Sequence, residues 1–594
     1  MEISLHSEGW TTRITVTGAF GVLGEVEGQE RFLLPLSGTF PVRRGGGWLW
    51  LLPADPLDPG PAFQIRCPGS GIEVTGSRGG WVVTVQSRNP EVRKHPNRPR
   101  CDVEGRPWEF DFEGGAELAA TLAAFYWDTL VPTTIERTAA RKYRGGGRGY
   151  VLSSLQKGSY GGTYPAVDHE FQIKGRLALG GGVEQDVVRR MLELQLDLMR
   201  THPEGTWRNP CALQPNGRVE YHVTRRSADW SVKAIMFFVT GNLEILESLW
   251  LYAARTKDRT WLGGRIDEIE RVAGHVERQI DAQGRLWSDV YYEDQVMKDG
   301  RETMAQAFAI RNFGLLADLE DWLGRTERAG HWRAVAATLA ANLTAPLPEG
   351  FWDTDQRRFV DWVDRRGKVH DHLHLLASEL PVLLGLASPD QSRAVEDLLA
   401  AHEAVFQKFP SFVAARIEDY TRDEIGTGGP YDLCAAGRYW CWDAAYWSGR
   451  RDGARLRVQL EAVSAQARLD GYHMGERYDM NYVYYPSDKN WHGAAWYYEY
   501  PNVYAWVLVT EYLGFHPCLD ADVLLRPLVG GSTTVRIETA GLQWSYSYDQ
   551  DSFRATNLAD HPRTLRLDLG PGWPNVPAGP TRLGAGSSLV VSCR

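Results

Sequence analysis

Cysteine is scarce and scattered in this chain, with seven residues at 67, 101, 211, 434, 441, 518 and 593 and no CxxC pair among them. An odd, irregular set of this kind implies neither a zinc framework nor a disulfide scaffold, and a reducing compartment is the simpler expectation. Long hydrophobic runs are missing as well. No stretch of 18 or more apolar residues occurs, so nothing reads as a membrane-spanning helix. The first residues, MEISLHSEGWTTRITVTG, alternate as a strand does and lack the charged-then-apolar pattern of a secretory signal. A cytoplasmic protein without a membrane partner is expected. A long basic run is also absent, and Arg-rich patches such as Arg137 to Arg148 are short and glycine-laced. With a net charge of −10 and a pI near 5.9, the chain does not suit a nucleic-acid backbone, whose phosphates are neutralised by grouped Lys and Arg. There is no GxGxxG before a helix, no P-loop and no GxSxG. Nucleotide cofactors and a serine-hydrolase triad therefore find no support, and no cofactor is expected.

What the chain has in quantity is tryptophan, 23 residues. Aromatic faces stack on the C–H faces of sugar rings, which points to carbohydrate handling, although a large core also uses Trp. The rings concentrate between Gly471 and Gly514, where three Trp and ten Tyr fall in one stretch. Buried Tyr and Trp need hydrogen-bond partners, so this density fits either a cleft or an aromatic packing region.

Residues 1 to about 113 alternate as strands (TRITVTG, RFLLPL, WLWLLP, GIEVTG, WVVTVQS) between Gly, Pro and Asp clusters, at intervals typical of a sandwich. The proline-bounded stretch 90–99 reads as a polar loop. From about Ala116 the period becomes helical, with candidates at 116–128, 183–201, 227–239, 243–256, 263–281, 302–323, 329–344, 371–385, 391–405, 430–447, 452–468 and 492–513. Some twelve helices of this length, without heptads and without a fixed repeat period, fit a closed toroid of helix pairs better than a coiled coil or a solenoid. After Cys518 the strand pattern returns (TTVRIETAG, LQWSYSYD, TLRLDLG, LVVSCR). The expected architecture is mainly α. An (α/α)6 toroid over 115–516 is flanked by an N-terminal β-sandwich over 1–114 and a small C-terminal β domain over 517–594.

Two loops carry carboxylates among aromatics: 284–302 (GRLWSDVYYEDQVMKDGRE) and the start of the Gly471–Gly514 stretch. Glycosidic cleavage needs a proton for the leaving oxygen and a base or nucleophile on the opposite face, which two carboxyls can supply. The run Glu476-Arg477-Tyr478-Asp479, followed by a glycine-containing loop and a Trp/Ala helix, resembles an element of inverting six-hairpin glycoside hydrolases of the trehalase and α-glucosidase I type. That resemblance implies hydrolysis of an α-linked glucoside or mannoside, with Glu476 as the general base. The loop Leu286 to Tyr291 resembles the same family's acid loop, which implies Asp289 as the acid, with Glu293 and Asp294 as alternatives. Ser288 stands where the family carries Gly, Leu or Trp before the Asp.

Two further segments are similar to sugar-binding loops of the family: Tyr160 to Asp168, with Val167 in place of the usual Arg, and Gly428-Gly429-Pro430 leading to Arg438 to Asp443. The resemblance implies substrate contacts from Tyr160, Asp168, Trp287, Tyr291, Trp442, Asp443, Tyr478, Trp491 and His492. Asp168 could instead cap a helix beginning near His169. The run His370-Asp371-His372-Leu373-His374 matches no zinc motif, and on a helix His370 and His374 would share a face while His372 pointed away. No metal is expected in the chemistry. A polysaccharide lyase using His492, Tyr478 and Arg477, and a non-catalytic carbohydrate-binding protein, are the alternative functions. The sequence is silent on oligomeric state.

Overall fold

The architecture comes from a computed structural model. It describes residues 108–594 apart from 131–132, 136–149, 152–168, 215–216, 222, 226–232, 236, 289–295, 297, 426–432, 479–492, 538–541, 550 and 594, and, before 108, the strands alone.

Among the described residues, twelve α-helices of eight residues or more build the helical body: α1 (Ala116–Phe125), α2 (His169–Leu179), α3 (Gly182–Arg200), α4 (Thr240–Thr256), α5 (Ile266–Glu277), α6 (Thr303–Leu323), α7 (Thr326–Leu343), α8 (Leu375–Leu383), α9 (Pro389–Ala401), α10 (Gly437–Gly449), α11 (Gly453–Leu469) and α12 (Glu499–Trp506). α1 and α12 each run on into a π-helical turn, Tyr126–Leu130 and Val507–Tyr512. The even-numbered helices form a closed ring, because α2 packs on α4, α4 on α6, α6 on α8, α8 on α10, α10 on α12, and α12 back on α2. The odd-numbered helices lie outside them: α3 against α2 and α4, α5 against α4 and α6, α7 against α6, α9 against α8, and α11 against α10. This is a six-hairpin toroid.

The two layers differ in pattern for a physical reason. An outer helix buries one stripe, as α5 does through Ile266, Ile269, Val272, Ala273 and Val276 at helical spacing. An inner helix is covered on all sides. α2 buries every residue of HEFQIKGRLAL, including Glu170, Lys174 and Arg176, so it shows no amphipathic stripe and is absent from the runs expected above by periodicity, where a helix start near His169 enters only through the capping alternative for Asp168. Conversely, the described residues of the expected helix 227–239 are not helical: Lys233–Ile235 is a strand paired with Val223–Arg225, residues 237–239 are a turn, and α4 begins at Thr240. The other expected helices agree with the structure to within a few residues, except that α10 and α12 start about seven residues later.

Strands occupy the expected runs before residue 90, in two four-stranded sheets and one hairpin. The stretch read as a loop at 90–99 contains a strand, Glu91–His95, paired with Ala62–Arg66. Trp108–Phe112 joins a five-stranded sheet with Ser532–Ile537, Leu542–Tyr548, Ser552–Asn557 and Ser588–Ser592, so the chain enters the toroid beside the segment that follows it. No disulfide joins any two of the five described cysteines. Among the described residues no helix is long and apolar enough to cross a membrane.

Candidate active site

Short strand pairings link the amino-terminal ends of several inner helices into a belt. Gly300–Glu302, which leads into α6, pairs with Trp362–Asp364, which pairs in turn with Val369–His370. His374, before α8, bridges Ala414; Phe412 bridges Ala435; and Ala435–Ala436, before α10, pairs with Arg477–Tyr478. Glu476 sits on this belt. Its backbone N–H donates to Ala494 O at 2.9 Å, and its Oε2 accepts from the Ala494 N–H at 3.0 Å. Arg477 approaches Oε1 at 2.6 Å and Arg438, at the start of α10, at 3.8 Å. Arg438 is itself held by Glu499 on α12, at 2.9 Å to its guanidinium and 2.6 Å to its backbone N–H. This carboxylate thus joins the belt to α10, and through Arg438 to α12, with only 6% of its side chain exposed.

The root of the second loop is equally ordered. Ser288 and Gly300 exchange both backbone hydrogen bonds, at 2.7 and 3.0 Å. Trp287 donates its indole N–H to Asp281 at 3.0 Å, and the guanidiniums of Arg285 and Arg365 lie 5.7 and 5.3 Å from its ring. Trp287 is therefore pinned by its edge, with cations beside its ring. Asp289, Tyr291, Glu293 and Asp294 lie outside the described residues, as do Tyr160, Asp168, Trp491 and His492.

Three expected substrate contacts are found inside the protein. Trp442 is 3% exposed, with the Lys174 ammonium 4.0 Å above its ring and Phe308 edge-on at 4.5 Å. Asp443 is fully buried about one and a half helical turns deeper than Arg438, and it accepts from Gln407, Ser411 and Gln459. Burial, and next to it the charge of Asp443, push Glu379 on α8 well above the usual carboxylate range. The Tyr478 hydroxyl is bonded to Asp470 and accepts from the Gly475 N–H at 3.0 Å, with its ring against Phe409 and Tyr500. All three side chains are thus buried and tied to their neighbours. The wider aromatic stretch follows suit: Tyr497, Tyr498, Tyr500, Tyr504, Trp506 and Tyr512 are all buried in the core.

Sequence reasoning passed over a charged cluster in the ring itself. Lys174 on α2 lies 2.5 Å from Glu170 and 3.2 Å from Glu247 on α4, and Arg311 on α6 pairs with Glu247 at 3.2 Å. Burial raises Glu170 to about 7 despite the Lys174 ammonium beside it. Burial works on Glu247 in the same sense, but Arg311 and Lys174 outweigh it and hold that carboxyl below its usual value. The available signal was the charged spacing Glu170-x-x-x-Lys174-x-Arg176. Among the described residues one group has metal-compatible spacing, His370, His372 and Glu424, with ligand atoms within 4.8 Å of one another.

No protein-family model matches the sequence, and no curated protein matches it. Solved structures do. A structure described as a sialidase is similar at 10% identity and a TM-score of 0.51, over 95% of this chain and 62% of that one. The likeness is one of fold. Also similar are the GH78 family rhamnosidase of Bacillus sp. GL1 (12% identity, TM-score 0.49, 96% of this chain and 52% of that one) and the GH63 mannosylglycerate hydrolase from Thermus thermophilus (11%, 0.43, 63% and 99%). The chain thus spans about half the length of the rhamnosidase. A six-hairpin toroid with a buried, arginine-paired carboxylate on its belt is what the fold and the site together amount to.

Proposed function

We propose that the protein is a glycoside hydrolase that cleaves an α-glycosidic bond of glucoside or mannoside type with inversion. The toroid over 115–516 is the catalytic part, and the N-terminal β-sandwich (1–114) and small C-terminal β domain (517–594) flank it. The observation that carries the reading is Glu476, a carboxylate fixed by Arg477 and by the Ala494 N–H on the belt that joins the inner-helix ends. In this reading Glu476 accepts a proton from the attacking water. Asp289, one residue beyond the Ser288–Gly300 pairing, gives a proton to the glycosidic oxygen on the opposite face. Inversion requires the two carboxyls to stand about 6.5–9.5 Å apart, which leaves room for that water. Tyr160, Asp168, Tyr291, Trp491 and His492 contact the sugar, while Trp442, Asp443 and Tyr478 support the belt from within. Arg477, paired with Glu476, and Tyr478, tied to Asp470, are both engaged as parts of this site.

The test is hydrolysis of a panel of α- and β-linked disaccharides, with the anomer of the first product resolved by NMR, for wild type, Glu476→Gln and Asp289→Asn. The expected result is turnover of an α-linkage to an inverted product, reduced about 10²-fold or more in both variants. Full activity in Glu476→Gln, or a retained anomer, overturns the proposal.

A further inference from the structure

We propose that His370, His372 and Glu424 form a binding site for a divalent transition metal of zinc type, one that clips together the loop layer at the mouth of the ring. The inference goes beyond the glycosidase reading and does not rest on it. The segment carrying the two histidines is extended: His370 ends the strand Val369–His370, and His372 lies two residues further, before α8. In an extended chain residues i and i+2 share a side, whereas a helix would turn them apart. Both imidazoles therefore meet a single carboxylate, brought from 52 residues away by the short helix Arg422–Ile425.

The spacing suits a metal. A tetrahedral zinc ion bonded to nitrogen and oxygen at about 2.0–2.1 Å separates its ligand atoms by about 3.3–3.4 Å. His372 Nε2 stands 3.3 Å from Glu424 Oε1. His370 Nδ1 is in direct hydrogen-bond contact with the same oxygen, a contact that opens as the ion replaces the shared proton. Each ligand is also held from behind. His370 stacks on Trp362 at 4.1 Å and 8°, and its Nε2 faces Asp364 at 3.7 Å, the side from which a carboxylate orients a metal-bound imidazole. His372 stacks on Tyr420 at 3.7 Å and 12°. Glu424 Oε2 accepts the Thr421 N–H at 2.6 Å and the Thr421 hydroxyl at 2.9 Å, which turns Oε1 toward the imidazoles. The three side chains are 8–10% exposed. Two imidazoles and one carboxylate suit zinc, whereas calcium and magnesium take oxygen ligands. A fourth position is left for water.

The place of the site gives it a role. The hairpin carrying His370 pairs with Gly300–Glu302, the strand that closes the loop containing Asp289. Lys298 from that loop and Tyr420 both reach Asp361, at 2.8 and 3.3 Å. A metal bound here ties the hairpin, the entry to α8 and the helix 422–425 to the root of that loop.

The experiment uses the full chain. Zinc content is measured by mass spectrometry after growth with zinc, for wild type, His372→Ala and Asp364→Asn, and chelator-treated wild type is titrated with Co²⁺ while visible absorption is followed. The expected result is one zinc per wild-type chain, a Co²⁺ absorption band with a stoichiometric end point that zinc abolishes, a rise in Tm on adding zinc, loss of the metal in His372→Ala, and about tenfold weaker binding in Asp364→Asn. Wild type that carries no stoichiometric zinc and gives no cobalt band overturns the proposal, as does unchanged zinc in His372→Ala, which would place the ion on other histidines. The cobalt titration needs only wild type, so a variant that fails to fold does not decide the outcome.

Discussion

Glu170, Lys174, Glu247 and Arg311 put four charged groups where α2, α4 and α6 meet, under the ring of Trp442. Charges so placed are costly singly and tolerable only as a set. Removing one partner should therefore cost more than the pair contributes. Lys174→Met, which leaves two glutamates facing one arginine, is expected to destabilise the fold by about 3–5 kcal/mol in a denaturant titration. The pH dependence has a definite sign. Glu170 ionises at about 7 in the folded chain against an ordinary glutamate value of 4.5, so between those values the folded state holds the proton more often than the unfolded one. The stability it contributes is complete below the lower value and is lost as pH rises through the upper one. Unfolding free energy should thus fall between about pH 4.5 and 7, by up to about 3 kcal/mol from this group, with Glu170→Gln flattening the curve. Glu379, raised by burial, acts in the same direction. Glu247, held low, acts oppositely, and its contribution is lost in acid. Equal slopes in wild type and Glu170→Gln would refute the assignment to Glu170. At this scale Glu476 could be singled out from the sequence as a candidate, because a carboxylate among aromatics is a local pattern, whereas its pairing with Arg438 could not. The sequence did not announce the Lys174 cluster, whose members come from three helices.

Elements hold the candidate site through the belt of short pairings, and Gly300 is its tightest point. Its φ is +157°, and a Cβ there would stand 2.1 Å from the Val363 carbonyl oxygen and 2.8 Å from the Asp364 Cα. Both obstacles are backbone, so neither can swing aside. Gly300→Ala should separate Gly300–Glu302 from Trp362–Asp364, lower stability by about 2 kcal/mol or more, and reduce turnover together with it. A variant with the wild-type denaturation midpoint would show that the belt is not rigid there. Strands of two or three residues lack enough alternation to be recognised along a sequence, which is why the belt was not anticipated. The histidine run shows the same limit from another side. On a helix His370 and His374 would share a face, but His370 ends a strand, and that exchanges which histidines meet.

The whole molecule depends on closing a ring between its first and last inner helices, 320 or so residues apart. The seam is Gly175 on α2 against Asn502 on α12, where a Cβ would lie 2.6 Å from the Asn502 Cα and carbonyl oxygen. In an ordinary helix Gly→Ala stabilises by about 1 kcal/mol. Here Gly175→Ala should reverse that sign and destabilise by about 1–3 kcal/mol, since the two backbones must move apart. Thermal or denaturant unfolding of the single variant decides it, and a raised Tm would refute so close a seam. The sequence by itself determined the kinds and order of the elements, strands, then paired helices, then strands. Hydrophobic periodicity is set by each segment's own surroundings and survives in one dimension. Only the tertiary structure decided which helices are inner, because full burial erases the stripe that marks a helix. It also decided that most of the described aromatics between Gly471 and Gly514 are core, and that charges distant in sequence meet under Trp442. Those facts depend on what lies opposite each side chain, and the ring alone supplies its other half.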